Sequence, residues 1–322
     1  MSTRRLPLEH IQKTNTTNAG LWLDKFIREQ AKTDTESRCD LVKETSRIQP
    51  PKEYSHFFQQ WKESLRNYGA EYREAKVDGR MAIGLGEDSV LETSVTLHHT
   101  YGVPYIPGSA LKGLAASFAR QYLGNDWQAK TPAYTTVFGD TEDAGYITFF
   151  DALPLPGSVV LHRDIITVHH RDYYQSDHPQ PPADWDDPTP IPFLSASGEY
   201  LVALAGPSTW VNAAFDILKH ALAHSGIGSK TSSGYGRLSL SPPLVDLDQA
   251  KADAMIVSIQ SLNLAEVAGR IHGFYELWSN SDINPAHRRR VAEAIVKKVK
   301  EAGREKQSRD KDWYKELLAS LK

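Results

Sequence analysis

GIGSKTSSGYGR, residues 226–237, lies between an amphipathic helical pattern and a short strand pattern, Tyr235–Leu240. Four glycines in twelve residues let the backbone turn sharply, approach a ligand closely and aim N–H groups at an anion. Gly228 sits within the turn, Lys230 and Arg237 add positive charge, and Thr231 and Ser232 add hydroxyl donors, as does Ser233. Tyr235 offers a ring on which a base could stack. A nucleotide-binding P-loop needs glycine immediately before the lysine, where this chain has Ser229, and its first glycine would fall on His224. The order helix–loop–strand is also the reverse of a P-loop. A glycine-rich hairpin or bulge that serves backbone geometry alone is the competing reading.

On the N-terminal side of the loop, Val211, Ala214, Phe215, Leu218 and Leu222 recur at helical spacing. A strand at Glu199–Leu204 precedes them. Further back, Leu111, Leu114, Ala115, Phe118 and Tyr122 form a second helical stripe over Gly108–Tyr122, with Ser109 expected as N-cap after the Pro107–Gly108 turn. Leu91, Val95, Leu97 and Tyr101 alternate with Glu92, Ser94, Thr96 and His98, the pattern of a half-buried strand. Strand-like runs follow at Gly145–Leu153 and Val159–His169, and Asp172–Pro192, rich in Pro and Asp, reads as a loop or insertion. This order predicts an α+β fold: an antiparallel sheet covered by helices on one face, compatible with a β-α-β-β-α-β, ferredoxin-like (RRM-like) core with insertions. Residues 1–75 read as a helical segment packed on that core, broken at Pro50-Pro51 between the Leu21/Leu23/Phe26/Ile27 and Phe57/Phe58/Trp61/Leu65 clusters. The core is expected over 76–243 and a helical extension over 244–322, where Asn284 and Pro285 open a basic helix.

Composition narrows the function. The 322 residues are 40% hydrophobic and 24% charged, with net charge −3. Asn284–Lys322 holds twelve Lys/Arg against six Asp/Glu, or +6, so the remainder sums to −3 − 6 = −9. RNA contact in the main body would therefore rest on a few placed groups, not on a diffuse positive field. The single cysteine, Cys39, excludes a disulfide framework and a multi-cysteine zinc site and fits a reducing cytoplasm. MSTRRLPLEHIQKT has no apolar stretch of a secretory signal, and no run approaches 18 apolar residues, so a cytoplasmic protein with no membrane contact is expected.

A second motif, GVPYIPGSALKG at 102–113, ends in the first turn of the Gly108–Tyr122 helix, where Ser109 and Lys112 would meet a phosphate drawn to the helix N-terminus. PYIPGSALKG at 104–113 together with GIGSKTSSGYGRL at 226–238 resembles the signature motifs of the RAMP superfamily of CRISPR RNA-binding proteins. NAGLWLDKF at 18–26, VFGD at 137–140, FFDALP at 149–154 and LHRDIITVHHRDYY at 161–174 are similar to the sixth, terminal RAMP subunits of type III-B Cmr effector complexes. The resemblance spans roughly residues 8–242. It implies a ferredoxin-like RAMP core and a non-catalytic, RNA-binding place near the 3′ end of the guide RNA, capping a ribonucleoprotein of antiviral defence. The implied partners are CRISPR guide RNA, target RNA and other RAMP subunits; no cofactor and no metal are implied. Carried over residue by residue, Ser109, Lys112, Gly228, Lys230, Thr231, Ser232, Tyr235 and Arg237 are the expected RNA contacts. Many relatives place an arginine soon after the KG; here Leu114, Ala115 and Ala116 fill that space and Arg120 comes later.

Twelve histidines raise a metal or catalytic reading. His98-His99 and His169-His170 are adjacent pairs on strand-like segments, so their members point to opposite faces, and at most one of each could join a site with His162 or Asp164. A metal-independent endoribonuclease using His98 or His169 as general acid or base is the alternative function. Asp140 and Asp151 follow turn and strand signals and are expected to cap. Val291, Ile295, Val296 and Val299 give the basic C-terminal helix a face to pack, with Arg288–Arg290, Lys297, Lys298 and Lys300 on its solvated side.

Overall fold

The computed structural model describes residues 8, 10–28, 35–86, 91, 93–168, 173, 181–184, 188–242, 247–281, 283 and 285–321. The chain forms two compact units, 1–243 and 244–322. Glu92, His169, His170, the proposed Asn284 cap and most of the Pro/Asp-rich segment lie outside the described residues.

The first unit is built on an antiparallel sheet whose strand order is β2-β6-β1-β7, with β3 pairing the same strand, β6, as β2 does. Its strands are β1 (Glu71–Val77), β2 (Thr148–Phe149), β3 (Leu153–Pro154), β6 (Glu199–Ala205) and β7 (Leu238–Leu240). Helix α4 (Gly108–Tyr122), followed by the short α5 (Pro132–Phe138), connects β1 to β2, and helix α6 (Ser208–His224) connects β6 to β7. A two-stranded hairpin, β4 (Val160–Val168) and β5 (Thr189–Ser197), intervenes before β6. β1 falls partly within the segment expected to be helical. Its sequence, EYREAKV, alternates weakly because Arg73, on the helix-facing side, is itself buried. Its guanidinium lies 4.3 Å from the Phe215 ring centroid and 3.3 Å from Asn212 Oδ1.

β6 explains why one covered face was expected and two are found. Tyr200, Val202 and Leu204 face α4 and α6, in one cluster with Leu111, Ala115, Phe215 and Leu218. Leu201, Ala203 and Ala205 point the other way and pack with Tyr54, Phe58 and Leu65 of α3 (Glu53–Asn67). A strand buried on both faces shows no alternation, so period alone could not report the second layer. Each such fully buried large apolar side chain contributes about 1.5–3 kcal/mol.

Among the described residues, Leu91 and 93–101 do not form the strand expected there. They are irregular, with a single bridge from Leu97 to Pro104, and their apolar side chains reach the core from loops. The run Gly145–Leu153 is likewise broken into β2 and β3: Phe150 N still donates to Ala203 O of β6 at 3.1 Å, but Ala152 pairs with Ile106 instead and the Asp151 carboxylate turns to cap α4. β5 takes in Pro190 and Pro192, which were read as loop; an edge of a two-stranded hairpin accepts the missing donors. α1 (Ala19–Lys25) and α2 (Thr35–Thr45) cover one face of the hairpin, with Trp22, Leu23 and Val42 against Leu161, Leu194 and Ala196. Asn18 caps α1 by accepting from Leu21 N at 3.0 Å and donates to the carbonyls of His99 and Thr100.

The second unit is helical: α7 (Leu247–Gln260), α8 (Val267–Ser279), α9 (Pro285–Glu301), α10 (Glu305–Ser308) and α11 (Asp312–Ser320). α9 packs against α7, α8 and α11, burying Val291, Ile295, Val296 and Val299 together with Trp278, Tyr314 and Leu317. Two short helices, α10 and α11, follow it. No helix among the described residues is long and apolar enough to cross a membrane.

Candidate nucleic-acid interface

The glycine-rich loop hangs between α6 and β7 and is held by the chain that leaves β1. Ser229 N donates to Ala82 O and Gly236 N to Arg80 O, both at 2.8 Å, and Asp78 N donates to Arg237 O at 2.8 Å. Ile227 N closes the loop on Gly236 O, also at 2.8 Å. Two glycines are required here. Gly236 has φ +71°, and a Cβ on it would lie 1.9 Å from Ile227 O; Gly228 has φ +82°, and its Cβ would lie 2.3 Å from Ala82 O. The amides of Ser233, Gly234 and Tyr235 turn inward to Lys230 O, Thr231 O and Lys230 O around a short 3-10 turn, Thr231–Ser233. Most of the loop's N–H groups therefore serve its own geometry, a correction to the expectation that glycines aim them at an anion.

The side chains divide in the same way. Arg237 donates from Nη1 to His224 O and from Nη2 to Thr231 O, so its guanidinium ties the end of α6 to the loop. Tyr235 is half-buried. Its ring centroid is 6.1 Å from that of Phe193, and its hydroxyl bonds the Asp164 carboxylate; burial, then that carboxylate, raises the phenol's pKa. Its place against the hairpin replaces the free stacking ring expected from sequence. Ser232 is exposed, and Lys230 and Thr231 are half-exposed at the loop's outer side. Lys230 adopts φ +59°, the left-handed conformation that costs a non-glycine residue about 1–2 kcal/mol. Among the described residues it forms no ion pair.

Asp164 was legible only as a possible metal partner. It organises the region instead: it accepts from Arg80, Ser195 and Tyr235 on the hairpin face opposite the one covered by α1 and α2. His162 lies on that same face, its Nε2 2.7 Å from Ser197 Oγ, and its pKa is lowered by burial and by Arg80. Arg80 and Ser195 carry no local signal, because their partner lies 84 and 31 residues away in sequence. Among the described residues no cluster of three metal-ligating side chains occurs.

The second motif is placed at the α4 N-terminus. Pro107, not Ser109, is the N-cap, and Ser109 sits exposed in the first turn. The Gly108 amide donates to Asp151 Oδ1 at 2.7 Å, so a carboxylate already complements this helix terminus. A Cβ on Gly108 would lie 2.2 Å from Phe149 O, which explains the glycine. Asp140 also caps, accepting from Glu142 N and Asp143 N at 2.9 Å each, and those two bonds lower its pKa. Lys112 is half-exposed without an ion pair among the described residues. No hydrogen bond among the described residues joins this turn to the glycine-rich loop. His98 lies among the rings of Phe57, Tyr101 and Tyr105 and accepts from Thr100 N on Nδ1 at 3.2 Å; burial lowers its pKa.

An antiparallel sheet with two connecting helices and a glycine-bearing loop after the second defines the class, and the model of the RAMP superfamily matches residues 74–239, more than half of the chain. The chain belongs to the RAMP superfamily. It is similar to the CRISPR system Cmr subunit Cmr6 of Pyrococcus furiosus, 32% identical over 245 residues, which cover 58% of this chain and 72% of that protein. A crystal structure of Cmr6 from Pyrococcus furiosus is 33% identical over 53% of this chain and 98% of that chain, with a TM-score of 0.36. A chain of the type III-B Cmr-beta bound to cognate target RNA, solved by cryo-EM, superposes with a TM-score of 0.50 at 21% identity, covering 64% of this chain and 71% of that one, and so shares the fold.

Proposed function

We propose that this protein is a non-catalytic RNA-binding subunit of a type III-B CRISPR effector ribonucleoprotein, working in the cytoplasm near the 3′ end of the guide RNA and helping to cap the particle. The observation that carries this reading is the 32% identity with Cmr6 over most of that protein's length. The guide RNA, a bound target RNA and neighbouring RAMP subunits are its partners. Its β-α-β-β-α-β order of strands and helices supports reading the sheet as the ferredoxin-like RAMP core.

RNA contact falls to the outward groups: Lys230, Thr231, Ser232 and the exposed Gly228 backbone on one motif, Ser109 and Lys112 on the other. Tyr235 and Arg237 act from beneath by fixing the loop's shape. Unpaired lysines suit this task, since an ammonium can join a phosphate without first leaving a carboxylate. His98 supports the non-catalytic assignment, because aromatic rings surround it and its Nδ1 is engaged by the backbone.

The test is an assembled particle carrying Lys112→Ala and Lys230→Ala. Guide-RNA affinity should fall about tenfold or more at fixed salt, as loss of two phosphate contacts implies. Unchanged affinity refutes the site. Cleavage of repeat RNA by the purified chain, abolished by His98→Ala, would overturn the non-catalytic reading.

A further inference from the structure

The helical unit 244–322 lies beyond the residues matched by the superfamily model and has a cavity of its own. We propose that this cavity is a nucleotide-binding site, taking an aromatic base against Trp313 and His272 and its phosphate on Arg304 and Lys311. It is independent of the glycine-rich loop.

The cavity measures about 380 Å³ and is walled by α8 on one side and by the turn and short helices after α9 on the other. That volume is within the range of small-ligand sites, about 300–1,000 Å³. Val267, Ile271 and Val299 supply apolar wall, while Gln307 lines the cavity with an amide. Trp313 is half-buried. Its ring stands edge-on to His272 at 6.0 Å and 5.9 Å from Tyr275, so an aromatic corner already exists where a base could stack.

The charges point the same way. After α9 the chain turns at Gly303, φ +66°, and Arg304 N donates to Val299 O at 3.1 Å, which brings the Arg304 side chain to the cavity. Two nearby carboxylates are engaged elsewhere, Glu305 with Lys300 at 3.9 Å and Asp312 with Lys315 at 3.7 Å, while Glu276 holds the His272 imidazole of the cavity wall at 3.5 Å and pairs with neither cation. Arg304 and Lys311 form no ion pair among the described residues. Two uncompensated cations beside an aromatic corner and an amide make a combination suited to a phosphate joined to a base. A purely apolar ligand would leave both cations without a partner, and an inorganic anion would leave the aromatic corner unused.

The experiment uses the full chain, photocrosslinked in parallel to 8-azido-AMP and to a ten-nucleotide single-stranded RNA containing 4-thiouridine, with the attachment sites mapped by mass spectrometry. Attachment should fall on peptides containing Trp313 or His272 and drop at least fivefold in Arg304→Gln/Lys311→Gln, a pair of surface changes that should leave the melting temperature within about 2 °C. Trp313→Phe, which keeps a ring, should retain more attachment than Trp313→Leu. Labelling by both probes identifies a free nucleotide as sufficient ligand, and labelling by the RNA alone identifies a strand; each supports the site. Absence of attachment in 267–313 with both probes overturns it, as does attachment undiminished in the Gln pair. Lys112→Ala/Lys230→Ala should leave this labelling unchanged, so failure at the glycine-rich loop and failure here are separate results.

Discussion

The two glycine-bearing motifs of the core look alike in sequence and are built differently. At 226–237 the backbone folds on itself and on residues 78–82, two cationic side chains part ways, and one lysine is left at the surface. At 107–113 a glycine lets β2 approach a helix whose first amide is already held by Asp151. In neither place do the glycines chiefly free amides for an anion. They permit contacts closer than any Cβ allows, and recognition passes to the lysines. A glycine in a ligand-binding motif can thus be there for the scaffold.

Gly236→Ala should have the largest effect. Its Cβ meets Ile227 O at 1.9 Å and its φ is strained for alanine; a loss of about 3 kcal/mol or more in denaturant unfolding is expected, beyond the usual range of point substitutions. Gly234→Ala, with φ +88° but nothing within 4 Å, should cost only about 1 kcal/mol. Equal losses at the two positions would break the claim that close approach, not loop flexibility, selects glycine.

Arg237→Ala should cost about 1.5–3 kcal/mol, the range for hydrogen bonds to a charged group, whereas Lys230→Ala should stay within about 0.5 kcal/mol. Thermal melts of the two variants, run beside RNA titrations, test the division between anchoring and contacting cation. An inverted order would reverse their roles.

Asp151→Ala should destabilise by about 1 kcal/mol through loss of the α4 cap. Asp151→Asn, which keeps an acceptor but not the charge, should recover part of it. If RNA affinity rises in either variant, the carboxylate has been repelling phosphate from this terminus.

The smallest effect concerns pH. Burial lowers the pKa of His98 and His162 in the folded chain. The unfolded chain then takes up protons more readily below about 6.5, so stability should decline as pH falls from there and be unaffected above it. His98→Gln should flatten that decline in melting temperature between pH 7 and 5; an unchanged slope would remove His98 from the account.

Local pattern placed α4, β4 and β6 within a residue or so, through an apolar stripe, a turn signal or a run of apolar residues, and marked the buried stripe of α6. The lysines of the two motifs were legible by the same local chemistry, and so was the packing face of α9, through Val291, Ile295, Val296 and Val299. Tertiary structure decided the rest. β1 was hidden by a buried arginine that Asn212, Phe215 and Asp216, more than 130 residues on, make tolerable. The second covered face of β6 was hidden because a strand buried twice loses its alternation. The engagement of Tyr235 and Arg237, and the existence of the Arg80–Asp164–Ser195 anchor, depend on residues far apart in the chain meeting in space. Local pattern fixes which surfaces must be buried and where the backbone must bend; which polar group meets which is settled only when those surfaces close, since an unpartnered buried donor or acceptor costs more than a surface contact returns.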